Sequence, residues 1–320
     1  MTLTELRYIT AVARERHFGR AAEACFVSQP TLSVAVRKLE EELGVSLFER
    51  GPGEVLVTPV GRRVVEQAQR VLEEVDLVRQ IAVAGQDELS GVLRLGVIYT
   101  IGPYLLPQLI PLLRRLAPQM PLQIEENYTG VLSELLRQGR LDLLILSLPY
   151  RTPGINTRAL YREPFVVLLP KGHALERETT ITPVDLALQD LLLLGPGHCF
   201  RDQVLQVCPE CNRLAAAGDN IQKTLEGSSL ETIRLMVATG MGVTVLPQTS
   251  ARGYPNAEEV VSIRPFAPPV PTRTVALAWR KSFPRSEVVR VLARAVRACP
   301  LPGVQMLDDS PSADVLESAG

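Results

Sequence analysis

The chain has 320 residues, 46% of them hydrophobic and 22% charged, with a formal net charge of −1. Such a composition supports two or three packed domains, and excludes both a disordered chain and one that selects its partners by bulk charge. No run of about 18 uncharged apolar residues exists, the first twenty residues carry six charged side chains in place of a secretory apolar core, and five cysteines are too few for a disulfide scaffold.

A cytoplasmic protein without a membrane segment is therefore expected, in which any disulfide is a signal or a chemical step. Leu6, Ile9, Val12 and Ala13 recur at helical spacing, and a short Ala-rich helix is predicted from Gly19 to Cys25. After Phe26-Val27, Ser28 can cap the next helix, with Pro30 in its first turn and Leu32, Val36, Leu39 and Leu43 as its buried stripe. The opposite face presents Ser33, Val34, Arg37 and Lys38, with Gln29 and Thr31 at the N-terminal end. Hydrogen-bonding groups, cations for phosphate and one methyl-bearing side chain for a thymine are what a DNA recognition helix needs. The bland alternative is a solvated helix face. Because residues 1–72 hold ten Lys/Arg against nine Asp/Glu, the DNA reading rests on pattern rather than charge.

Residues 47–50, the Gly51-Pro-Gly53 turn and residues 54–58 read as a hairpin wing that places Arg50 against the DNA backbone. Thr58-Pro59 opens another helix, where Val64, Ala68, Val71, Val75, Val78 and Ala82 step by four and three. That seam suits a partner helix, so a dimer carrying two recognition helices to two half-sites is expected. Ala21-Ala22, Ser28-Gln29-Pro30-Thr31-Leu32-Ser33, Leu39-Glu-Glu-Glu-Leu-Gly44, Leu47-Phe-Glu-Arg50 and Thr58-Pro59-Val-Gly61 together resemble the LysR family of transcriptional regulators. The resemblance implies that Gln29, Thr31, Ser33, Arg37 and Arg50 face operator DNA, and that the helix from Pro59 links subunits of a homodimer or homotetramer. RNA polymerase is the further partner expected of such a regulator.

Beyond Ser90-Gly91, strand and helix signals alternate. Strands are predicted at Leu93–Ile98, from Ile124, and at Leu141–Leu148, Phe165–Leu169, Val243–Leu246 and Thr274–Trp279; helices follow the first at Leu105–Leu116 and the second at Leu132–Leu136. The pattern predicts an α/β fold with mostly parallel sheets, in two subdomains (92–162 with 270–300, and 163–269) whose cleft is the default ligand site. The family resemblance implies the same two-lobed, periplasmic-binding-protein-like regulatory domain. The expected organisation is thus a winged helix-turn-helix over 1–58, a linker helix and hinge over 59–90, the regulatory domain over 91–301 and a loosely ordered tail over 302–320.

Cys199 follows a predicted strand and a Gly195-Pro-Gly197 turn, at the expected start of a helix. Helix amide dipoles, with His198 and Arg201 if turned inward, would stabilise a thiolate there, and a thiolate attacks peroxide to give a sulfenic acid that a second thiol condenses into a disulfide. If residues 200–208 are helical, Cys208 lies about 13 Å away at roughly 1.5 Å per residue, whereas a disulfide needs Cα atoms within about 7 Å. Bonding would therefore demand that the segment unwind, which couples oxidation to shape.

Gly197-His198-Cys199, Arg201-Asp202-Gln203, Cys208, Ser229-Leu230-Glu231-Thr232 and Thr100–Pro107 resemble the peroxide-sensing members of the same family. That resemblance implies Cys199 as the peroxide-reacting thiolate and Cys208 as the resolving thiol, with Thr100, Thr129 and His198 holding peroxide and Asp202 and Arg273 supporting the site. Cys208-Pro-Glu-Cys211 departs from the pattern: Cys211 is an alternative resolving thiol, or pairs with Cys208. His198, Cys199, Cys208 and Cys211 are conceivable zinc ligands, but two sequence neighbours suit one tetrahedral ion badly, and neither metal nor cofactor is expected.

Cys25 and Cys299 read as small buried hydrophobes. Ser228, Ser229 and Thr232 either cap a helix or bind an anion. No Ser-His-Asp arrangement, phosphate loop or His-rich metal motif marks an enzyme. The alternatives to peroxide sensing are a regulator of the same family responding to a small organic acid in the cleft, and a thiol oxidoreductase using Cys208 and Cys211.

Overall fold

The computed structural model describes residues 1–50, 55–84, 87–209, 226–227, 229–251 and 257–307. The wing turn, Cys211, Ser228 and most of the expected tail lie outside the described residues. The chain divides into two compact units, Met1–Gln86 and Asp87–Gly320.

In the first unit, α1 (Leu3–Glu15) begins in a capping box between Thr2 and Glu5. α2 (Phe18–Ala24) and α3 (Gln29–Leu43) follow, with the Ser28 hydroxyl accepting the Thr31 amide at 3.3 Å to start α3. β1 (Phe48–Arg50) and β2 (Val55–Val57) pair antiparallel, and α4 spans Pro59–Ala84. Ile9, Val12, Leu32, Val36, Leu39 and Leu47 are fully buried at the centre. Leu43, expected in the buried stripe of α3, is instead exposed, because the helix ends there at Gly44. The expected α4 seam also divides: Ala68 is buried in this core with Val64 packed against it, while Val71 and Val78 are exposed.

The junction into α4 is tightly made. The Thr58 hydroxyl accepts the Gly61 amide at 2.9 Å and donates to the Ser46 carbonyl at 2.8 Å, so it caps the helix and ties it to the segment before the wing. A Cβ at Gly61 would lie 2.8 Å from the Leu47 carbonyl carbon and 2.9 Å from its Cα, contacts that only a backbone shift relieves. Gly61→Ala is expected to destabilise this unit by about 1–3 kcal/mol, as overpacking does. An unchanged midpoint for this unit in thermal unfolding would contradict that contact.

The second unit runs β3 (Leu93–Ile98), α5 (Gly102–Leu116), β4 (Leu122–Asn127), α6 (Thr129–Arg137), β5 (Leu143–Ser147) and β6 (Ile155–Pro170). It continues through α7 (Pro183–Ala187), β7 (Leu193–Leu194), α8 (Cys199–Val207), β8 (Glu226–Gly227), α9 (Leu230–Ala238) and β9 (Thr244–Pro247). α10 (Gln248–Ala251), α11 (Ala257–Val260), β10 (Val261–Pro265), β11 (Thr272–Arg280), α12 (Ser286–Arg297) and β12 (Gln305–Met306) complete it. β3 pairs in parallel with β4 and β5, the βαβ arrangement that the alternating signals predict.

The remainder corrects the expectation of mostly parallel sheets. β6 pairs antiparallel with β11 over its first ten residues and with β9 and β10 over its last six, while β11 also pairs antiparallel with β5. The predicted Phe165–Leu169 strand is only the second half of this 16-residue β6. A chain that crosses between two lobes on one strand and returns beside it on another must run both ways, which sets the antiparallel sense. Two hydrophobic cores result: one draws on residues 93–161 and 275–299, the other on residues 165–266.

Candidate functional site

On α3 the structure exposes Gln29, Thr31, Val34, Arg37 and Lys38, half-buries Ser33, and turns Leu32, Val36 and Leu39 inward. Amide, hydroxyl, methyl and cationic groups thus share the outward side of one helix. Arg50 ends β1, and its side chain lies outside the described residues. Phe26, which sequence reading treats as a turn residue, is 96% exposed with a left-handed φ of +58, two residues before the Ser28 cap of α3.

The second site lies at the C-terminal ends of β3 and β4, where open α/β sheets receive ligands. Tyr99 and Thr100 follow β3, and Tyr128 and Thr129 follow β4. Facing them, the turn after β7 delivers His198 and Cys199 at the head of α8. Gly197 makes that turn with φ +96, a conformation side chains disfavour, and a Cβ there would also meet the Tyr128 ring at 3.3 Å. His198 is the buried N-cap of α8, and its ring stands edge-on to Tyr128 at 4.7 Å and tilted to Tyr99 at 5.9 Å. Tyr99 and Tyr128 pack edge to face at 5.3 Å. Cys199, a free thiol of intermediate exposure, is the first residue of α8 and packs against the core built from residues 93–161 and 275–299. The Thr129 hydroxyl is buried and has no hydrogen-bond partner among the described residues. Leaving such a group unpaired costs about 1–3 kcal/mol, which favours a small hydrogen-bonding guest.

Thr100 is fixed from below. The Arg273 guanidinium donates to its hydroxyl at 2.8 Å and to its carbonyl at 2.9 Å, forms a 2.8 Å ion pair with Glu163, and lies 5.4 Å over the ring of Phe200, next to Cys199. Both charged side chains are 0% exposed. Glu163 also accepts the Thr249 amide at 2.7 Å and the Thr249 hydroxyl. The structure thus brings Thr100 and Arg273 into direct contact, and sets His198 against the tyrosine preceding Thr129.

Asp202, by contrast, is exposed. Its neighbour Gln203 is the residue of that turn that reaches inward, donating to the Ser147 hydroxyl at 2.9 Å and the Leu148 carbonyl at 3.3 Å while its own oxygen is buried with no hydrogen-bond partner among the described residues. Both lie on the Cys199 side of a helix by spacing, and the i+4 position was the readable signal for Gln203. Glu163 and the tyrosine pair had no local signal at all. Arg201 donates to the Leu194 carbonyl at 2.8 Å, holding the strand that precedes the turn.

Cys208 is the C-cap of α8 and fully buried in the other core, so the whole helix separates it from Cys199. It is disulfide-bonded, whereas Cys199, Cys25 and Cys299 are free thiols. Its sulphur lies 3.4 Å from the Pro183 carbonyl oxygen, a packing contact, since a disulfide sulphur carries no proton to donate. Burial pushes the Cys299 thiol up to about 11 and raises that of Cys25, so neither is prone to ionise. Ser229 accepts the Thr232 amide at 3.2 Å and performs the capping role at the start of α9.

Two family models match this chain: the bacterial regulatory helix-turn-helix protein of the lysR family over residues 3–62, and the LysR substrate binding domain over residues 86–299. The DNA-binding transcriptional dual regulator OxyR of Escherichia coli K12 is 39% identical over 298 residues, which is 93% of this chain and 95% of that one. A Cys-to-Asp mutant of full-length OxyR from Pseudomonas aeruginosa superposes with a TM-score of 0.75 at 53% identity, covering 94% of this chain and 99% of that one. A hydrogen-peroxide-bound Cys-to-Ser mutant of Corynebacterium glutamicum OxyR gives a TM-score of 0.60 at 32% identity, over 92% and 91% of the two chains.

Proposed function

The chain belongs to the LysR family of bacterial helix-turn-helix regulators, and from that premise we infer that it is a transcription regulator that senses hydrogen peroxide through a reactive cysteine. The observation that carries the reading for this chain is the free Cys199 thiol at the head of α8, next in sequence to the buried His198, which two tyrosines flank. The Cys199 thiolate attacks one oxygen of hydrogen peroxide; the O–O bond breaks, hydroxide leaves and takes up a proton, and the sulphur is oxidised to a sulfenic acid. Condensation with a second thiol then forms a disulfide and releases water. Thr100, Thr129 and His198 hold the peroxide, Arg273 orients Thr100, and Asp202 supports the site from its exposed edge.

Cys208 is the proposed resolving thiol, with Cys211 as the alternative. Since the Cys208 sulphur is engaged in a disulfide here, it must first be released by a cellular thiol reductant or by thiol–disulfide exchange. From opposite ends of α8 the two cysteines meet only if that helix unwinds, so the chemistry carries its own conformational change. Exposing full-length protein to stoichiometric peroxide in the presence of dimedone should leave Cys199 as the dimedone adduct or in a disulfide. Recovery of Cys199 as an unmodified thiol would count against the reading.

The lobes proposed are 92–162 with 270–300, and 163–269, which the two separate cores support. Operator DNA, a second copy of the chain and RNA polymerase are the proposed partners, and the cytoplasm the proposed compartment. Among the described residues no helix is long and apolar enough to cross a membrane. Gln29, Thr31, Ser33, Val34, Arg37, Lys38 and Arg50 are the proposed DNA contacts. Arg37→Ala should weaken operator binding and reduce the slope of log affinity against log salt by about 1, as loss of one phosphate contact does. An unchanged slope would remove Arg37 from the interface.

A further inference from the structure

Arg285, immediately before α12, is 6% exposed and spends its whole guanidinium on main-chain oxygens of one distant segment. It donates to the carbonyls of Glu88 at 2.8 Å, Ser90 at 2.8 Å and Val92 at 3.1 Å. The same segment answers in kind: the Glu88 carboxylate accepts the Glu287 amide at 2.6 Å, capping α12 where no side chain of that helix's own N-cap does so. Asp87 closes a local turn, accepting the Leu89 amide on its carboxylate and the Ser90 hydroxyl on its carbonyl. The Gly91 and Leu93 amides donate to the Gln119 and Pro121 carbonyls. Residues 87–92 are thus pinned at several points, although they form neither helix nor strand.

Position in the chain gives this clamp its meaning. The segment it grips opens the second unit at Asp87, three residues after Ala84 ends α4, and it runs directly into β3. At its far end β3 leads to Tyr99, whose ring stands by that of His198, the residue before Cys199, and to Thr100, held by Arg273. One short strand, paired on both sides, therefore joins the reactive pocket to the point where the chain passes toward the linker helix.

We propose that Arg285 is a positioning residue that couples the peroxide pocket to the linker helix, by fixing the path of residues 88–92 so that a displacement of β3 is passed on along the chain rather than absorbed in a slack hinge. The proposal rests on the peroxide-sensing reading. A planar, five-donor guanidinium spans three carbonyls; a lysine ammonium keeps the charge but cannot. In full-length protein, Arg285→Lys and Glu88→Ala should react with peroxide at Cys199 at rates within about twofold of the wild type, read by rapid quench and mass spectrometry. Allosteric couplings are typically about 5–150-fold. In these variants the peroxide-dependent change in operator affinity should fall to within about twofold, while the reduced forms still bind.

Variants that keep the full peroxide-dependent change would overturn the clamp, and so would variants that lose Cys199 reactivity and operator binding together, since that is a purely structural defect. The wild-type arm separates the two claims. If wild-type operator binding is itself indifferent to peroxide, the sensing reading fails before the clamp is reached.

Discussion

Cys199→Ser protein is expected to bind its operator as the reduced wild type does and to give no response to hydrogen peroxide. Serine differs from cysteine by one atom, and Cys199 sits at the first position of α8 with intermediate exposure, where a hydroxyl is well tolerated at a helix start. Fold and DNA contacts should therefore survive, with stability within about 0.5 kcal/mol, the range of substitutions away from core and network features. What disappears is the nucleophile: a serine hydroxyl does not ionise near neutral pH and has no sulfenic acid to form. Footprinting with and without peroxide checks this. A peroxide-dependent shift that persists in the variant would place the reactive thiol elsewhere, and the high-lying Cys25 and Cys299 thiols are poor substitutes.

Arg273→Ala is expected to give the largest loss of stability. Arg273 and Glu163 are both fully buried, and removing one partner strands the other's charge in the protein interior, which costs about 3–5 kcal/mol. The same change strips Thr100 of the donors to its hydroxyl and its carbonyl. Urea unfolding of the regulatory unit should shift to a lower midpoint, and the peroxide reaction should slow in whatever native protein remains. Glu163→Gln should also lower the midpoint, since Thr249 and Arg273 use different carboxylate oxygens: the amide oxygen keeps one of them as donor, its NH2 group faces the other, and the Arg273 charge is left buried without a counter-ion. Equal midpoints for Arg273→Ala and the wild type would show that the pair is not the keystone its burial suggests.

The helix-turn-helix was legible because its signals are local: a capping serine, a stripe at Leu32, Val36 and Leu39, and a hydroxyl-proline start to α4. Leu43 was misjudged because periodicity continues to the end of a helix whether or not there is core left to meet it. The sheet was read less well. The first half of β6 carries Asn156, Arg158, Arg162 and Glu163, which hide its strand character, since the strand it pairs with, β11, lies more than a hundred residues away. Glu163 belongs to the same class of residue: a buried carboxylate is intelligible only beside Arg273, and no local pattern announces the pairing. Asp202 and Gln203 were separable only by the helix's rotation, which spacing gives to within one residue. Cys199 itself was legible because a glycine turn before a helix start is a short-range feature.

The central claim is that Cys199 is the reactive thiol and that its oxidation rewires the far end of α8. Peptide mass mapping of the full-length protein, fully reduced under anaerobic conditions and then treated with one equivalent of hydrogen peroxide, tests this most directly. The account predicts rapid loss of the Cys199 thiol with a new bond from Cys199 to Cys208 or Cys211, while Cys25 and Cys299 stay reduced. Cys199 remaining a thiol, accessible to alkylation after peroxide has been consumed, would contradict it.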